Sequence, residues 1–190
     1  MRYGPIMLTV LVNGLPGAGK TTLARSLARQ LGLPLFSKDS VKETLADALA
    51  PVRPAGCDAR EWSRALGAAS ADTLWTLLAD ARGQAVLESP FLAHLRPFVR
   101  AGLRRAGVSE PDRVHEVWCD VPPAVARRRF AERTPARHPI HPEAGGQDGD
   151  WDLWVRGAEP LALGPVHRVD TTGPVDVPAL AARLRAVARA

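Results

Sequence analysis

Lysine is nearly missing from this 190-residue chain. Of its 25 Lys and Arg residues only Lys20, Lys38 and Lys42 are lysine, so arginine carries most of a net charge of +5. Such a basic balance suits phosphorylated ligands or nucleic acid, and equally an arginine-biased genome, because charge speaks to association and not to fold. Cysteine is scarce too. Cys57 and Cys119 lie far apart at no metal-ligand spacing, which predicts reduced thiols in a cytoplasmic protein. No long hydrophobic run is present. The apolar stretch IMLTVLV (6–12) is cut short by Asn13 and Gly14 and has no small-residue cleavage site. Neither a transmembrane helix nor a signal peptide is expected, and no membrane partner. Aromatic residues are few and only Phe98 falls within the basic segment 95–107, which weighs against stacking platforms for single-stranded nucleic acid.

What is present is an ordinary globular composition, 46% hydrophobic and 24% charged, which argues against disorder and fits a single domain over residues 1–190. The continuous apolar run at 6–12 reads as a strand buried on both faces, and the stretches 33–37, 84–89, 114–121 and 166–171 read as further strands. Between them, helical periodicity predicts helices over 20–32, 40–50, 58–81, 95–107, 122–134 and 177–190. Gly32 stands where a helix C-terminal glycine is wanted, and Ser40 with Glu43 three residues on reads as a capping box. Trp62, Leu66, Ala69, Leu74, Leu77 and Leu78 form the stripe expected to face the core. Proline, glycine and polar residues over 135–150 predict a mobile loop. Strands alternating with helices imply an α/β fold, a mainly parallel five-stranded sheet with helices on both faces.

The stretch VNGLPGAGKT (12–21) contains G-x-x-x-x-G-K-[ST] as Gly14, Gly19, Lys20 and Thr21. Glycines there let backbone N–H groups turn toward phosphate oxygens, and the following helix presents its N-terminal dipole to the same anion. Lys20 is suited to the β- and γ-phosphates and the Thr21 hydroxyl to Mg²⁺. A buried strand before and an amphipathic helix after complete the context. The whole segment, Gly14, Leu15, Pro16, Gly17, Ala18, Gly19, Lys20, Thr21 and Thr22, is therefore expected to bind a nucleoside triphosphate. There is no N-K-x-D tetrad and no strand of four apolar residues ending in Asp-Glu, which weighs against a GTPase and a mechanical ATPase.

Three further stretches point to transfer onto an acceptor. FSKDSVKE (36–43) follows the second strand, where Asp39 is placed to take a proton from an attacking hydroxyl or to hold Mg²⁺ through water. Helix capping is the competing role, and Lys38 reads as a surface or phosphate-side charge. VLESPF (86–91) puts Glu88 at the end of the third strand, to contact substrate or water-linked Mg²⁺, or to pair with an arginine. Phe91, with the helix of Trp62 and Trp75, is a candidate wall of an acceptor pocket. In ARRRFAERTPAR (126–137), Arg129 and Arg133 share one helix face and suit a lid, over about 122–150, that neutralises transition-state charge; Arg137 follows. A solvated basic face is the bland alternative. His138 and His141, with Cys119, lack the neighbours of a metal site.

In this order and spacing, NGLPGAGKTTLARSLA, FSKDSVKE, VLESPF and RRRFAERTPARHP resemble the small ATP-dependent kinases of the AAA_33 group. That group is similar to chloramphenicol phosphotransferase, gluconate kinase, zeta toxins and the kinase half of polynucleotide kinase. The resemblance implies a three-layer P-loop NTPase fold like that of nucleoside monophosphate kinases, with ATP and Mg²⁺ as cofactors and a hydroxyl acceptor. It implies ATP contacts from 14–22, Asp39 as base, Arg129 and Arg133 as lid arginines, and an adenine-side loop over Asp170–Pro174. LESPF matches no single acceptor specificity. A small-molecule alcohol is the expected partner, with a polynucleotide 5′-hydroxyl kinase and an ATP-binding regulatory or toxin-like module as alternatives.

Overall fold

The computed structural model describes residues 7–133, 136–141 and 148–187. Thr9–Asn13 forms strand β1, with all five residues buried as an apolar β-branched run demands. Helix α1 covers Lys20–Leu31 and ends on Gly32, whose left-handed backbone (φ 69) lets its N–H close onto Ala28 and Arg29. Then follow β2 (Leu35–Ser37), α2 (Lys38–Leu49), α3 (Ala59–Asp80), β3 (Ala85–Glu88), α4 (Arg96–Arg105) and β4 (Val114–Asp120). The chain continues through α5 (Pro123–Arg133), α6 (Asp148–Arg156), β5 (Val166–Asp170) and α7 (Val177–Val187).

The five strands run parallel in the order β2-β3-β1-β4-β5. Side chains of β1 alternate between two cores. Val10 and Val12 pack with Leu23 and Leu27 of α1, Leu180 and Leu184 of α7, and Phe130 and Trp151 beyond. Leu11 faces Leu74, Trp75 and Leu78 of α3 with Val99 and Leu103 of α4. Two covered faces explain why β1 reads as a continuous apolar run, whereas the edge strand β5 alternates exposed and buried residues. The chain visits β2 and β3 on one side of β1 and β4 and β5 on the other. Loops therefore diverge at the carboxyl end of β1, where α/β sheets place their ligands.

Some expectations are corrected. Ser40 is exposed and is not the cap of α2. The helix begins at Lys38 with Ser37 at the N-cap position, because β2 turns into α2 with no intervening loop. Within α3, Ala69 is exposed and Ser70 and Trp75 take buried places instead, while Leu66, Leu74 and Leu78 are buried as the stripe requires. The stretch expected as loop already enters α6 at Asp148, and residues 136–141 are tied down against α2 and α3. Residues 134–135 and 142–147 of the expected lid lie outside the described residues, as do 188–190 of the last helix. Among the described residues no helix is long and apolar enough to cross a membrane.

Candidate phosphoryl-transfer site

The site grows from the end of β1. Asn13 accepts the N–H groups of Gly14 (2.7 Å) and Phe91 (3.0 Å) on its Oδ1. Its Nδ2 donates to the Phe91 carbonyl (2.9 Å) and to Glu116 Oε1 (2.8 Å). All the hydrogen-bonding capacity of this buried amide is thereby used to fix the start of the glycine loop against the loop after β3. Two glycines are then required by geometry. A Cβ on Gly14 would meet the Cys119 carbonyl at 2.8 Å, and one on Gly17 (φ 85) would meet the Ala126 carbonyl at 2.0 Å. The base of α5 thus lies directly on the loop. Gly19, at φ 85, leads into α1, whose first-turn N–H groups have no intrahelical acceptor and whose first turn contains no acidic residue.

Lys20 is buried, and its Nζ donates to the carbonyls of Gly14 (3.0 Å) and Leu15 (2.8 Å). Burial pushes its ammonium pKa below the ordinary lysine value, against the opposing pull of Glu88. Thr21 Oγ1 donates to Glu88 Oε1 at 3.3 Å, and Ser37 Oγ donates to Glu88 Oε2 at 2.6 Å. Glu88 is thus held by two hydroxyls and not by the arginine that is its commonest structural partner. Asp39, in the first turn of α2, makes no hydrogen bond or ion pair among the described residues, and it lines the same cavity as Lys20 and Glu88. That cavity, of about 370 Å³, reaches from the glycine loop to Phe91, Trp118, Trp154 and Arg137. It has the size of a small-molecule site.

A second cavity lies on the other side of the loop, between Thr22, Ser26 and the segment 171–177. Arg129 closes it, its two terminal nitrogens donating to the carbonyls of Thr171 (2.8 Å) and Thr172 (2.7 Å). Arg133 lines both cavities. The structure therefore brings together Gly14, Leu15, Pro16, Gly17, Gly19, Lys20, Thr21, Asp39, Glu88, Phe91 and Arg133 in the first cavity, with Thr22 and Arg129 in the second. Ala18 is buried beneath the loop. Trp62 and Trp75 line neither cavity; Trp75 packs on Phe91 with ring centroids 6.4 Å apart and on the backbone of Gly102. His138 and His141 hold the segment 136–141 to α2 through Asp47 (3.0 Å) and Glu43 (2.7 Å). Cys119 is inert, its thiol pushed up to about 12 by burial.

Sequence reasoning missed Glu116. This carboxylate, 1% exposed in the middle of β4, accepts the N–H groups of Leu161 (3.0 Å) and Ala162 (2.9 Å) besides the Asn13 amide. It ties the segment leaving α6 to the root of the glycine loop. Its signal was present: an ionisable residue inside an otherwise apolar buried strand needs partners. Lys42 and Arg137 also line the first cavity, from α2 and from the segment after α5.

The chain is similar in fold to known proteins. A proposed kinase from Chloroflexus aurantiacus J-10-fl superposes with a TM-score of 0.78 and 33% identity, covering 96% of this chain and 98% of that one. An APS kinase from Mycobacterium tuberculosis, in complex with AMPPNP and APS, matches at a TM-score of 0.55 and 23% identity over 98% of this chain and 100% of that one. A gluconokinase from Sinorhizobium meliloti 1021 matches at 0.54 and 17% over 98% and 94%. At these lower identities only the fold is shared. A cytidylate kinase of Pyrobaculum aerophilum is 61% identical over 31 residues, which is 16% of this chain and 17% of that protein's length. The family model described as AAA domain matches residues 9–145. With that match over most of its length and the P-loop kinase fold around it, the chain belongs to the AAA_33 family.

Proposed function

We propose that the protein transfers the γ-phosphoryl group of ATP to a hydroxyl of a small molecule. The observation that carries this reading is the position of Asp39: a carboxylate without a partner among the described residues, sharing one cavity with the glycine loop and Lys20. Phosphoryl transfer asks mainly for positioning and charge neutralisation. The loop N–H groups and Lys20 hold the phosphates, Arg133 adds charge from above, and the second cavity, closed by Arg129, takes the nucleoside. Asp39 accepts the acceptor hydroxyl proton as its oxygen bonds to phosphorus and the bond from phosphorus to the β–γ bridging oxygen breaks, leaving ADP.

Mg²⁺ fits the donors present, since the Thr21 and Ser37 hydroxyls and the Glu88 and Asp39 carboxylates are all hard oxygen ligands. Thr21 and Asp39 would hold it, directly or through water, with Glu88 orienting Thr21. When bound, the ion neutralises charge on the phosphate oxygens.

The test is an ATP-consumption screen over hydroxyl compounds, followed by Asp39→Asn on a confirmed acceptor. The variant should bind ATP and lose transfer by roughly 10²–10⁴-fold, the usual worth of a positioned base. Full transfer by the variant would remove Asp39 from the mechanism.

A further inference from the structure

All three lysines of this arginine-rich chain, Lys20, Lys38 and Lys42, line the same cavity. Elsewhere the chain uses arginine for positive charge. Lysine is a compact, strongly hydrated ammonium, whereas arginine is a planar fork, so the two are not interchangeable where a ligand is gripped. Lys20 belongs to the glycine loop. Lys38 and Lys42 stand on α2, on either side of Asp39, away from the nucleoside cavity.

Lys42 is 8% exposed, an uncommon place for a lysine without a carboxylate. Its Nζ donates to Ser63 Oγ at 2.7 Å, and that hydroxyl donates onward to the Ile140 carbonyl at 2.9 Å. An ammonium has three donors, so further hydrogen bonds are there to be made. Burial and the neighbouring Lys38 both push the Lys42 pKa down. Arg137 stands nearby, its guanidinium 4.6 Å from the Phe130 ring centre. Its Nη1 is enclosed and has no hydrogen-bond partner among the described residues.

Among the described residues no carboxylate is bonded to Lys42 or Arg137, although Asp39 and Glu43 attract both. Glu43 is bonded to His141, Asp47 to His138, and Glu88 to Thr21 and Ser37. Asp39 alone remains, and as a base it faces the reacting hydroxyl. A buried ammonium and a half-buried guanidinium with an enclosed, unpartnered Nη1, both beside that base, amount to an anion site.

On the kinase reading, from which this assignment follows, we propose that Lys42 and Arg137 bind an oxyanion group of the acceptor. The phosphorylated alcohol is then a small anionic molecule, carrying a carboxylate, phosphate or sulfate besides its hydroxyl. Lys38 and the apolar wall of Phe91 and Leu92 complete its surroundings.

The test uses the full chain saturated with Mg²⁺ and a non-hydrolysable ATP analogue, so that the glycine loop is occupied. Sodium sulfate, inorganic phosphate and acetate are titrated separately, with Trp118 and Trp154 in the cavity as fluorescent reporters. At least one oxyanion should bind saturably, and the preferred one names the group. Lys42→Met and Arg137→Met should each weaken that binding roughly ten- to hundredfold, whereas Arg105→Met, at a surface ion pair with Asp72, should not. Should Lys42→Met fail to fold, Arg137→Met decides, since its residue is only half-buried. In parallel, hydroxy acids and phosphate monoesters are compared as acceptors with their uncharged alcohols, and the charged partner should be preferred at least tenfold in kcat/KM. No saturable oxyanion binding, binding indifferent to both variants, or equal transfer to the uncharged alcohol overturns the assignment. Loss of the kinase reading is seen separately, as ADP released with inorganic phosphate alone whatever alcohol is supplied, or as ATP binding and turnover that both survive Lys20→Ala.

Discussion

Ser37 donates its hydroxyl proton to Glu88 Oε2 at 2.6 Å, from the last residue of β2 to the last residue of β3. The opposite oxygen of the same carboxylate accepts from Thr21, at the start of α1. One buried acid thus joins the ends of two strands to the glycine loop, where a metal-bound triphosphate would lie. Glu88→Gln keeps the shape and removes the charge. It should raise the Mg²⁺ concentration for half-maximal turnover about tenfold, with nucleotide binding in the absence of Mg²⁺ little changed. Ser37→Ala should shift it in the same direction by less. Titrating turnover against Mg²⁺ for the three proteins decides it.

A second prediction concerns the contact between Gly17 and Ala126. With φ at 85 and a Cβ position 2.0 Å from the Ala126 carbonyl, Gly17→Ala must push α5 off the loop. Left-handed backbone alone costs an alanine about 1–2 kcal/mol. The variant should melt at lower temperature and bind ATP at least tenfold more weakly. Calorimetric titration of ATP and a melting curve check both.

Glu116 is the third case. Replacing it by alanine strands the buried N–H of Leu161 and one hydrogen of the buried Asn13 amide, and removes the part-buried bond from Ala162. The expected loss is about 3 kcal/mol in urea unfolding. Glu116→Gln should lose less, because its amide oxygen still accepts. Equal midpoints for wild type and Glu116→Ala would deny the anchoring role.

These cases show what was legible in the residues. Gly14 to Thr21 are legible as a loop between strand and helix because the motif fixes both spacing and flanking structure. Asp39, Glu88 and Arg133 are readable by position, since strand ends and the helix after β4 open onto the same crevice. Ser37 and Ser40 were not separable, because whether a helix starts two residues earlier depends on how abruptly β2 turns. Glu116 went unread because its partners lie 45 and 103 residues away in sequence. Lys42 and Arg137 meet only once the segment 136–141 is docked on α2, through pairings that no local pattern encodes.

The fourth prediction concerns pH and lies at the opposite end of the sheet. His115 and His167, near the starts of β4 and β5, stack with their Nδ1 and Nε2 atoms 3.0 Å apart. His115 Nε2 lies 3.2 Å from the Asp112 carbonyl, which assigns its proton to Nε2 and makes its Nδ1 the acceptor for His167. Burial lowers both pKa values, that of His167 to about 4, with His115 and Arg183 adding to the shift. Folded histidines with lowered pKa bind fewer protons than the unfolded chain. Their contribution is full above the unfolded value of about 6.5 and is lost as pH falls from there toward about 4. The urea midpoint should drop across that window, and the drop should be shallower in His167→Phe.

The central claim is that the loop at Gly14–Thr21 holds ATP for transfer to an alcohol. It is tested most directly by ³¹P NMR of the protein with ATP, Mg²⁺ and a panel of hydroxy acids, for wild type, Lys20→Ala and Asp39→Asn. The account predicts a new phosphate-ester resonance growing with ADP in wild type, absent in Lys20→Ala and slowed at least a hundredfold in Asp39→Asn. ADP appearing with inorganic phosphate alone, whatever alcohol is supplied, would contradict it.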